Sequence, residues 1–375
     1  MAVAACTNPG GETADDSDAA DESQDVAADT EEPQDLDEAA SETEATDEAT
    51  AAPTDEEDAG DGTQQVLRAA SDDVETCTYD GEPIDLTEVT VGFSQSEAEN
   101  NPFRIAETAS IQDEASELGI DLIATNANTD LATQVADIQD MLAQGVEVLI
   151  VAPLNSQGLE PALDQAAEQG VPVITIDRQL ESEPCEDYVT FIGSDFLEQG
   201  ERAAEQMLEA TGGEATVAIL LGAPGNLVTT NRTDGFVNAV EGDEAVEIVA
   251  QQTGEFTREG GQQVTAQLIQ ANPDIDFIYA ENDEMALGAL QALRDAGRTP
   301  GEDIQIVSID GTQEAVQAVV DGAIYAVVES NPRFGPLAFQ VAQDYLNGEE
   351  IPSELLIEDA IYTRDNAEAD LGNAY

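Results

Sequence analysis

DFIYAENDEMALGALQALRDAG, residues 276–297, combines a strand, a polar turn and a helix. The β-branched and aromatic run Phe277-Ile278-Tyr279 predicts a buried strand, and the leucines that follow recur at helical spacing. Between them lies the polar turn Glu281-Asn282-Asp283. Because ligands of open α/β sheets bind outside the carboxyl ends of strands, this turn is a candidate site. Asn282 donates and accepts while Asp283 only accepts, which suits a vicinal diol; the alternative is that Asp283 caps the helix.

The same alternation of strand and helix runs in both directions from this unit. Strands are predicted at 88–93, 120–124, 146–152 and 171–176, each followed by a helix except the last, which ends at Asp177-Arg178. After a crossing strand at 188–192 the pattern restarts at 215 and continues to 320, and a last strand is predicted at 357–362. Such alternation predicts an α/β fold of two Rossmann-like lobes, each with a parallel sheet between helices.

The domain organisation follows from this pattern and from a change of composition. We predict that residues 85–193 with 330–357 form an N-terminal lobe, and that 194–329 with 358–375 form a C-terminal lobe. Residues 7–80 are mostly Ala, Asp, Glu, Thr and Ser. A segment with so few large apolar side chains cannot offset its chain entropy by burial, which predicts a disordered acidic linker.

The first six residues, MAVAAC, place a cysteine after small residues and ahead of this linker. This arrangement resembles the end of a bacterial lipoprotein signal, although the basic start and most of the apolar segment of such a signal are absent. We therefore expect residues 1–6 to be the remnant of a signal, with Cys6 acylated as a lipid anchor. The alternative is an incidental cysteine.

The charge balance excludes several classes of function. The chain has 82 acidic and 10 basic residues, and it contains no histidine. The absence of histidine excludes histidine-dependent catalysis and histidine metal ligands. We do not expect nucleic acid as a partner, because the sequence has no basic patch. We predict neither a cofactor nor a metal. Repulsion between so many carboxylates favours adaptation to high salt; the alternative is an ordinary acidic secreted protein.

Two further cysteines, Cys77 and Cys185, lie within the predicted folded region or at its edge. In an exported protein these two would be expected to pair as a disulfide. The alternative is two unpaired buried thiols.

Polar and aromatic residues collect at the predicted strand ends. The candidates are Ser94, Gln95, Asn101, Phe103, Arg104, Asp177, Arg178, Asn231, Arg232, Phe256, Asn282, Asp283, Asp310 and Glu329. Arginine forks and carboxylates match adjacent sugar hydroxyls, and an aromatic face covers the apolar side of a sugar ring. Singly, these residues have plainer interpretations, such as Arg178 pairing with Asp177. A carboxylate pair such as Asp177 with Asp283 would be needed for glycoside hydrolysis, but the lack of a nucleophile–base constellation favours binding without catalysis.

Six motifs at these positions resemble those of the ribose- and galactofuranose-type periplasmic sugar-binding proteins, the substrate-binding components of ABC importers. They are VGFSQ…NPFR (91–104), VITIDRQ (173–179), TTNRTDGF (229–236), GEFTREGG (254–261), YAENDEMALGAL (279–290) and SIDGT (308–312). The resemblance covers about residues 85 to 370 and is nearest to the galactofuranose branch. The pair Asn101-Pro102 matches the ribose form, and Asn231 stands where the galactofuranose form has Asp, so the sugar remains open.

The resemblance implies a type I periplasmic binding protein, with two lobes joined by three hinge segments that close over a monosaccharide. Phe103 and Phe256 would stack on the sugar ring. The residues that would bind its hydroxyls are Arg104, Asp177, Arg178, Arg232, Asn282, Asp310 and Glu329. The implied protein is an extracytoplasmic monomer that works with ABC permease subunits, touches the membrane only through its lipid anchor and performs no chemistry.

Two other functions share this fold. The effector domain of a sugar-responsive repressor would need a basic helix-turn-helix head before residue 85, where an acidic segment stands instead. A ligand-sensing module of a chemoreceptor or sensor kinase is the other alternative, and a neighbouring permease or kinase gene would discriminate.

Overall fold

The computed structural model describes residues 67–71 and 73–375. Cys6 and the predicted linker up to residue 66 lie outside these residues, so what was expected of them stays a prediction. The described chain forms two α/β lobes, each built on one sheet, as the strand and helix pattern predicts. We call them the first lobe and the second lobe in chain order.

The first lobe contains a seven-stranded sheet. Its strands are β1 (Leu67–Ala69), β3 (Thr90–Gln95), β4 (Asp121–Asn126), β5 (Val148–Val151), β6 (Val173–Ile176), β7 (Thr190–Ser194) and β14 (Glu354–Ile357). A small adjoining sheet consists of β2 (Thr76–Cys77) and β13 (Ile351–Pro352). The large sheet has the order β1-β14-β7-β6-β5-β3-β4, and all neighbours are parallel except the edge strand β1. Strands β2 and β13 pair separately.

The second lobe contains a six-stranded sheet. Its strands are β8 (Ala215–Leu221), β9 (Val246–Thr253), β10 (Phe277–Ala280), β11 (Gln305–Asp310), β12 (Ala326–Glu329) and β15 (Ile361–Thr363). Their order is β15-β12-β11-β10-β8-β9, with only β15 antiparallel to its neighbour. Parallel neighbours need crossover connections, which the helices supply.

The helices are α1 (Pro102–Leu118), α2 (Leu131–Gln144), α3 (Glu160–Gln169), α4 (Phe196–Thr211), α5 (Leu227–Ala239), α6 (Arg258–Ala271), α7 (Asp283–Asp295), α8 (Gln313–Val320), α9 (Gly335–Leu346) and α10 (Ala367–Asp370). Most begin after a polar side chain that accepts a backbone hydrogen bond, the usual N-cap. The interpretation of Asp283 as the cap of α7 is wrong, because Asn282 Oδ1 accepts from Met285 N at 3.0 Å and Asp283 is already helical.

Apolar side chains cover both faces of each sheet, as expected for strands that read as continuous hydrophobic runs. In the first lobe Phe93 packs with α1 and α9, while Leu149 packs with α2 and α3. In the second lobe Ile278 packs with α6 and α7, while Tyr279 on the opposite face stacks on Phe236 of α5 with ring centroids 4.4 Å apart. No helix in the described part of the chain is both long and apolar enough to cross a bilayer.

The chain passes between the two sheets three times, after β7, after β12 and after β14. The predicted crossing strand at 188–192 is in fact β7, an internal strand of the first sheet, and the crossing follows it. The single last strand predicted at 357–362 is also wrong. It is two strands, β14 and β15, in different sheets, because residues 358–360 make the third crossing.

The extension of the predicted linker to residue 80 is wrong for the described residues. Strand β1 pairs with β14 at the edge of the first sheet, and β2 pairs with β13. A disulfide joins Cys77 to Cys185, 108 residues apart, and so ties β2 to the loop between β6 and β7. Strands of two and three residues are too short to show any periodicity, and their partners lie near the C-terminus, so composition alone could not reveal them.

Candidate functional site

A cavity of about 40 Å³ lies where the carboxyl ends of the two sheets meet. Both lobes contribute to its lining, which consists of Glu97, Asn101, Phe103, Arg104, Asp177, Arg178, Val228, Arg232, Phe256, Asn282 and Asp310. The loops that follow β3, β6, β10 and β11 therefore converge, which is the usual position of a ligand site in open α/β folds.

In the first lobe a buried arginine is surrounded by carboxylates. Arg104 lies on the first turn of α1, where its Nη1 is 2.7 Å from Glu107 Oε2 and 2.6 Å from Asp177 Oδ2. Its Nε lies 2.9 Å from Glu97 Oε2. Charge-assisted pairs of this kind fix a guanidinium in one orientation.

Asp177 follows β6 with a φ of 64°, in the left-handed region that a non-glycine residue adopts at some cost. Its backbone N–H donates to the carbonyl of Ile192 at 3.0 Å, which holds the turn. Its Oδ2 is buried against Arg104 Nη1 at 2.6 Å, a charge pair without the angles of a hydrogen bond. A carboxylate that hydrogen bonds do not saturate can still accept a ligand hydroxyl.

Arg178, the next residue, has its fork shared between protein acceptors. Nη1 donates to the carbonyl of Leu154 at 2.8 Å, and Nη2 donates to Glu97 Oε1 at 3.0 Å. The side chain is only 3% exposed. Glu97 thus bridges Arg178 and Arg104.

In the second lobe Arg232 of α5 is held chiefly by neutral acceptors. Its Nε donates to Gln199 Oε1 at 2.9 Å and its Nη1 donates to the carbonyl of Glu281 at 2.6 Å. Asp310, at the end of β11, lies 3.7 Å from Nη1. Burial raises the pKa of Asp310 well above its usual range, although the charge of Arg232 acts in the other direction.

Two aromatic rings lie on the lining, one from each lobe. Phe103 carries the guanidinium of Arg104 over its face at 5.0 Å and packs edge-on against Tyr375. Phe256 follows β9 with a left-handed φ of 58°. Its ring lies so close to Gly222 that a Cβ there would be 2.0 Å from the ring, so a larger residue at that position would require the ring to move. The turn GAPG therefore makes room for an aromatic wall.

Comparison with known proteins identifies this architecture. Residues 91–350 match the periplasmic binding protein domain. The chain belongs to the periplasmic binding protein family. It is 37% identical to the ribose import binding protein of Bacillus subtilis, over 70% of this chain and 84% of that protein. It is 33% identical to the galactofuranose-binding protein of Escherichia coli, over 76% and 90%.

A solved structure from Mycobacterium smegmatis in complex with β-D-fucofuranose has 36% sequence identity and a TM-score of 0.73. The match covers 76% of this chain and 94% of that one. The resemblance inferred from the six motifs is thereby confirmed at the level of family and fold.

Nine of the residues proposed from the sequence line the cavity of this family member: Asn101, Phe103, Arg104, Asp177, Arg178, Arg232, Phe256, Asn282 and Asp310. Whether they bind a ligand stays a prediction. Asn282 lines the cavity and also caps α7, and its amide donates to the carbonyl of Phe256 at 3.2 Å.

Five other proposed residues lie outside the lining: Ser94, Gln95, Asn231, Asp283 and Glu329. The amide of Gln95 donates to Glu107 at 2.9 Å. Asp283 accepts from Ser308 Oγ at 2.5 Å and from the backbone of Gly311 and Thr312. Gln95 and Asp283 therefore support the walls of the cavity from behind, and burial raises the pKa of Asp283 to about 6.

Glu329 lies at the second crossing between the lobes. Its carboxylate accepts from Ala360 N at 2.9 Å and from the Tyr362 hydroxyl at 3.2 Å, and so joins the second crossing to the third. The ligand role that the family resemblance implies for Glu329 therefore has no support from the lining of the cavity.

Two lining residues were missed by sequence reasoning, Glu97 and Val228. Glu97 lies in the loop between β3 and α1, where Glu99 is a second acidic residue, and residue type does not distinguish the two. Burial opposes its ionisation, but the charges of Arg178 and Arg104 prevail and lower the pKa of Glu97 to about 2. Its position just after a strand end was the one available signal.

A second group behind the first-lobe arginine behaves in the opposite way. Glu107 is fully buried, and burial raises its pKa to about 7 in spite of Arg104.

In the described part of the chain no three potential His, Cys, Asp or Glu ligands are grouped so as to hold a metal ion.

Proposed function

We propose that this chain is an extracytoplasmic solute-binding protein that captures a monosaccharide between its lobes and delivers it to an ABC importer. The observation that carries the proposal is the cavity itself: paired guanidinium and carboxylate groups from each lobe, between two aromatic rings. Forked donors beside carboxylate acceptors match neighbouring hydroxyls, and aromatic faces match the C–H side of a sugar ring.

The balance of charge in the lining favours a neutral ligand. The lining contains three arginines and three acidic residues. The arginines are Arg104, Arg178 and Arg232, and the acidic residues are Glu97, Asp177 and Asp310. A sugar phosphate or sugar acid would meet these carboxylates at close range, whereas a polyol can use both kinds of group. Relatives named for ribose and galactofuranose, and a structure holding a fucofuranose, support a pentose or a furanose ring.

The mechanism we propose is closure of the lobes about the three crossings. A sugar that contacts both lobes stabilises the closed form, which the permease would recognise. Direct contacts between the lobes support this closure. The backbone N–H of Ser156 donates to the carbonyl of Gly225 at 3.3 Å, and Ser156 Oγ accepts from Leu227 N at 3.0 Å.

We propose that the ligand undergoes no chemistry. The carboxylate pair considered above for glycoside hydrolysis, Asp177 with Asp283, is not presented to the cavity. Asp283 points into its own network with Ser308 and Thr312, and only Asp177 lines the space. Incubation with aryl glycosides should release no aglycone.

The family places the chain outside the cytoplasm, and the disulfide between Cys77 and Cys185 fits that compartment. We further propose acylation of Cys6 as a membrane anchor, with the protein otherwise monomeric. Mass spectrometry of protein from the native membrane fraction tests this, because an unmodified Cys6 would rule out the anchor.

Adaptation to high salt is a separate proposal that rests on the 82 acidic residues against 10 basic ones. Salt should relieve the repulsion because the Debye length falls to about 3 Å at 1 M. Thermal unfolding between low salt and 3 M NaCl tests it, with KCl as a parallel series. A midpoint that does not rise with salt contradicts the proposal.

The sugar-binding proposal is tested by calorimetric titration with D-ribose, L-arabinose, D-galactose and D-fructose, at low and high salt. We expect at least one to bind with micromolar or better affinity and to raise the unfolding midpoint. Small-angle scattering with and without that sugar should show the more compact form with it. Failure of a wide pentose and hexose panel to shift either quantity overturns the proposal.

A further inference from the structure

Glu97 bridges the two arginines of the first lobe. Its Oε2 lies 2.9 Å from Arg104 Nε, and its Oε1 lies 3.0 Å from Arg178 Nη2. One carboxylate therefore spans donors that belong to two different elements, α1 and the loop after β6. It also lines the cavity that we assign to the sugar.

The donors that Glu97 occupies are the ones that a ligand would need. Arg178 Nη1 already donates to the carbonyl of Leu154 at 2.8 Å, which leaves Nη2 as the end of the fork taken by Glu97. Arg104 Nη1 is likewise held, by Glu107 and Asp177. A sugar hydroxyl that accepts from Arg178 Nη2 must therefore compete with Glu97.

The exposure of the side chains that line the cavity indicates which of them can turn toward solvent. The side chains of Arg104, Asp177 and Arg178 are 5%, 8% and 3% exposed, whereas that of Glu97 is 22% exposed.

Glu97 has fewer other partners than the two arginines that it joins. It lies in the loop between β3 and α1, and its side-chain hydrogen bonds go only to the two arginines among the described residues. Arg178, by contrast, is anchored by backbone carbonyls, and Arg104 by its other carboxylates. Rotation of Glu97 toward solvent breaks no contact except those that the ligand would replace.

We propose that Glu97 is a displaceable gate: it occupies the guanidinium donors of the sugar site, and the ligand must release it from Arg178 to bind. The inference rests on the proposed sugar-binding function and deepens it in one respect. A carboxylate at this point lowers the affinity for neutral sugars and disfavours sugar acids more strongly, so that Glu97 sets the preference for uncharged ligands.

Charge balance shows why the gate can open without harm to the fold. With Glu97 in place, three carboxylates surround the two arginines, the others being Glu107 and Asp177. When Glu97 leaves, Glu107 and Asp177 still contact Arg104, and Arg178 keeps Asp177 at 3.6 Å and the carbonyl of Leu154 at 2.8 Å. Each guanidinium therefore keeps acceptors.

The test uses the full chain with Glu97→Gln, which keeps the shape and removes the charge. Glu99→Gln is the matched control, because Glu99 is exposed in the same loop and, among the described residues, its side chain accepts one hydrogen bond, from Asn126 Nδ2 at 3.4 Å. Both are titrated with L-arabinose, D-galactose and D-galacturonate beside the unaltered protein. Unfolding midpoints confirm folding, and Glu97→Ala serves as a second variant.

We expect Glu97→Gln to bind the preferred neutral sugar roughly tenfold more tightly, since a charge-assisted competitor is lost. Its gain for D-galacturonate should be larger. In the unaltered protein the affinity should rise with NaCl, because salt weakens the partly exposed Glu97 pairs, and in Glu97→Gln this salt dependence should shrink. Glu99→Gln should follow the unaltered protein in each respect.

Equal or weaker sugar binding by both Glu97→Gln and Glu97→Ala, in a protein that does bind a sugar, overturns the gate while leaving the proposed function standing. It would make Glu97 a ligand contact or a support for the arginines. Absence of binding by the unaltered protein and by all three variants instead overturns the proposed function, and the gate with it.

Discussion

The two halves of the cavity hold their arginines in different ways. In the first lobe Arg104 and Arg178 are surrounded by Glu97, Glu107 and Asp177, so that charge is balanced by charge. In the second lobe Arg232 is held by an amide oxygen and a backbone carbonyl. The first half therefore depends on ionised groups, and the second depends on neutral hydrogen bonds.

Buried carboxylates show the same contrast. Arg178 and Arg104 overcome burial at Glu97 and lower its pKa to about 2, so it is ionised at neutral pH. Burial dominates at Glu281 in the second lobe and raises its pKa to about 7, despite hydrogen bonds from Thr233 and Gly222 N. Glu97 keeps its charge because it lies between two guanidiniums, whereas burial prevails at Glu281 and also at Glu107, which shares Arg104 with two other carboxylates.

The largest effect should come from removing the disulfide, which lies in the first lobe alone. Cys77→Ser with Cys185→Ser opens a loop of 108 residues and should lower the free energy of unfolding by about 2–5 kcal/mol. Hydrogen exchange should localise the loss to the first lobe, with the second lobe little changed. Reductant should destabilise the unaltered protein and not the double variant. A uniform loss across both lobes would contradict this assignment.

Arg178→Ala should have the next largest effect, on binding. Deleting the fork leaves Asp177 and the sugar hydroxyls poorly paired, which should weaken affinity by about 2–4 kcal/mol, roughly 30- to 1,000-fold. Arg232→Ala should also weaken binding, and both variants should lose some stability, because each removes the donor of a buried carbonyl, that of Leu154 in one case and that of Glu281 in the other. Titration calorimetry and urea unfolding separate the two outcomes. Arg258→Ala, an exposed arginine outside the cavity, is the control.

Sequence reasoning reached the fold because strands that are buried on both faces read as apolar runs, as at Val148–Val151. It also placed Asp177, Arg178 and Asp310 correctly at strand ends. It could not tell that Asp283 turns inward to Ser308 and Thr312, because a side chain's direction at a turn depends on packing between elements. For the same reason sequence reasoning missed Glu97, although it follows a strand end, because only the fold brings its loop between two arginines.

A pH series should reveal the opposite ionisation of the two halves. The folded pKa of Glu281 is raised, so its contribution is present below about pH 4.5 and is lost as pH rises through about 7. Glu281→Gln should therefore gain about 1–3 kcal/mol in unfolding free energy, relative to the unaltered protein, between pH 5 and pH 8. Urea unfolding at each pH measures this.

Glu97→Gln is the counterpart for that series, because the sign reverses. The lowered pKa of Glu97 means that its contribution is present above about pH 4.5 and is lost as pH falls toward about 2. Its difference from the unaltered protein should thus be constant between pH 5 and pH 8. Parallel curves for both variants over that range would refute the contrast between the halves.

The smallest effect should come from a charge pair of the second lobe that lies outside the cavity. Arg258 reaches Glu284 at 2.7 Å and Glu314 at 2.8 Å, and so links α6, α7 and the start of α8, but it is 43% exposed. Solvent screening limits such pairs, so Arg258→Gln should lower the unfolding free energy by less than about 1 kcal/mol and by still less in 1 M NaCl. Arg294→Gln, an exposed arginine of α7 that forms no ion pair with the residues described, provides the baseline. A loss of several kcal/mol at Arg258 would mean that the second lobe, too, depends on ionised groups, and the contrast with the first lobe would fail.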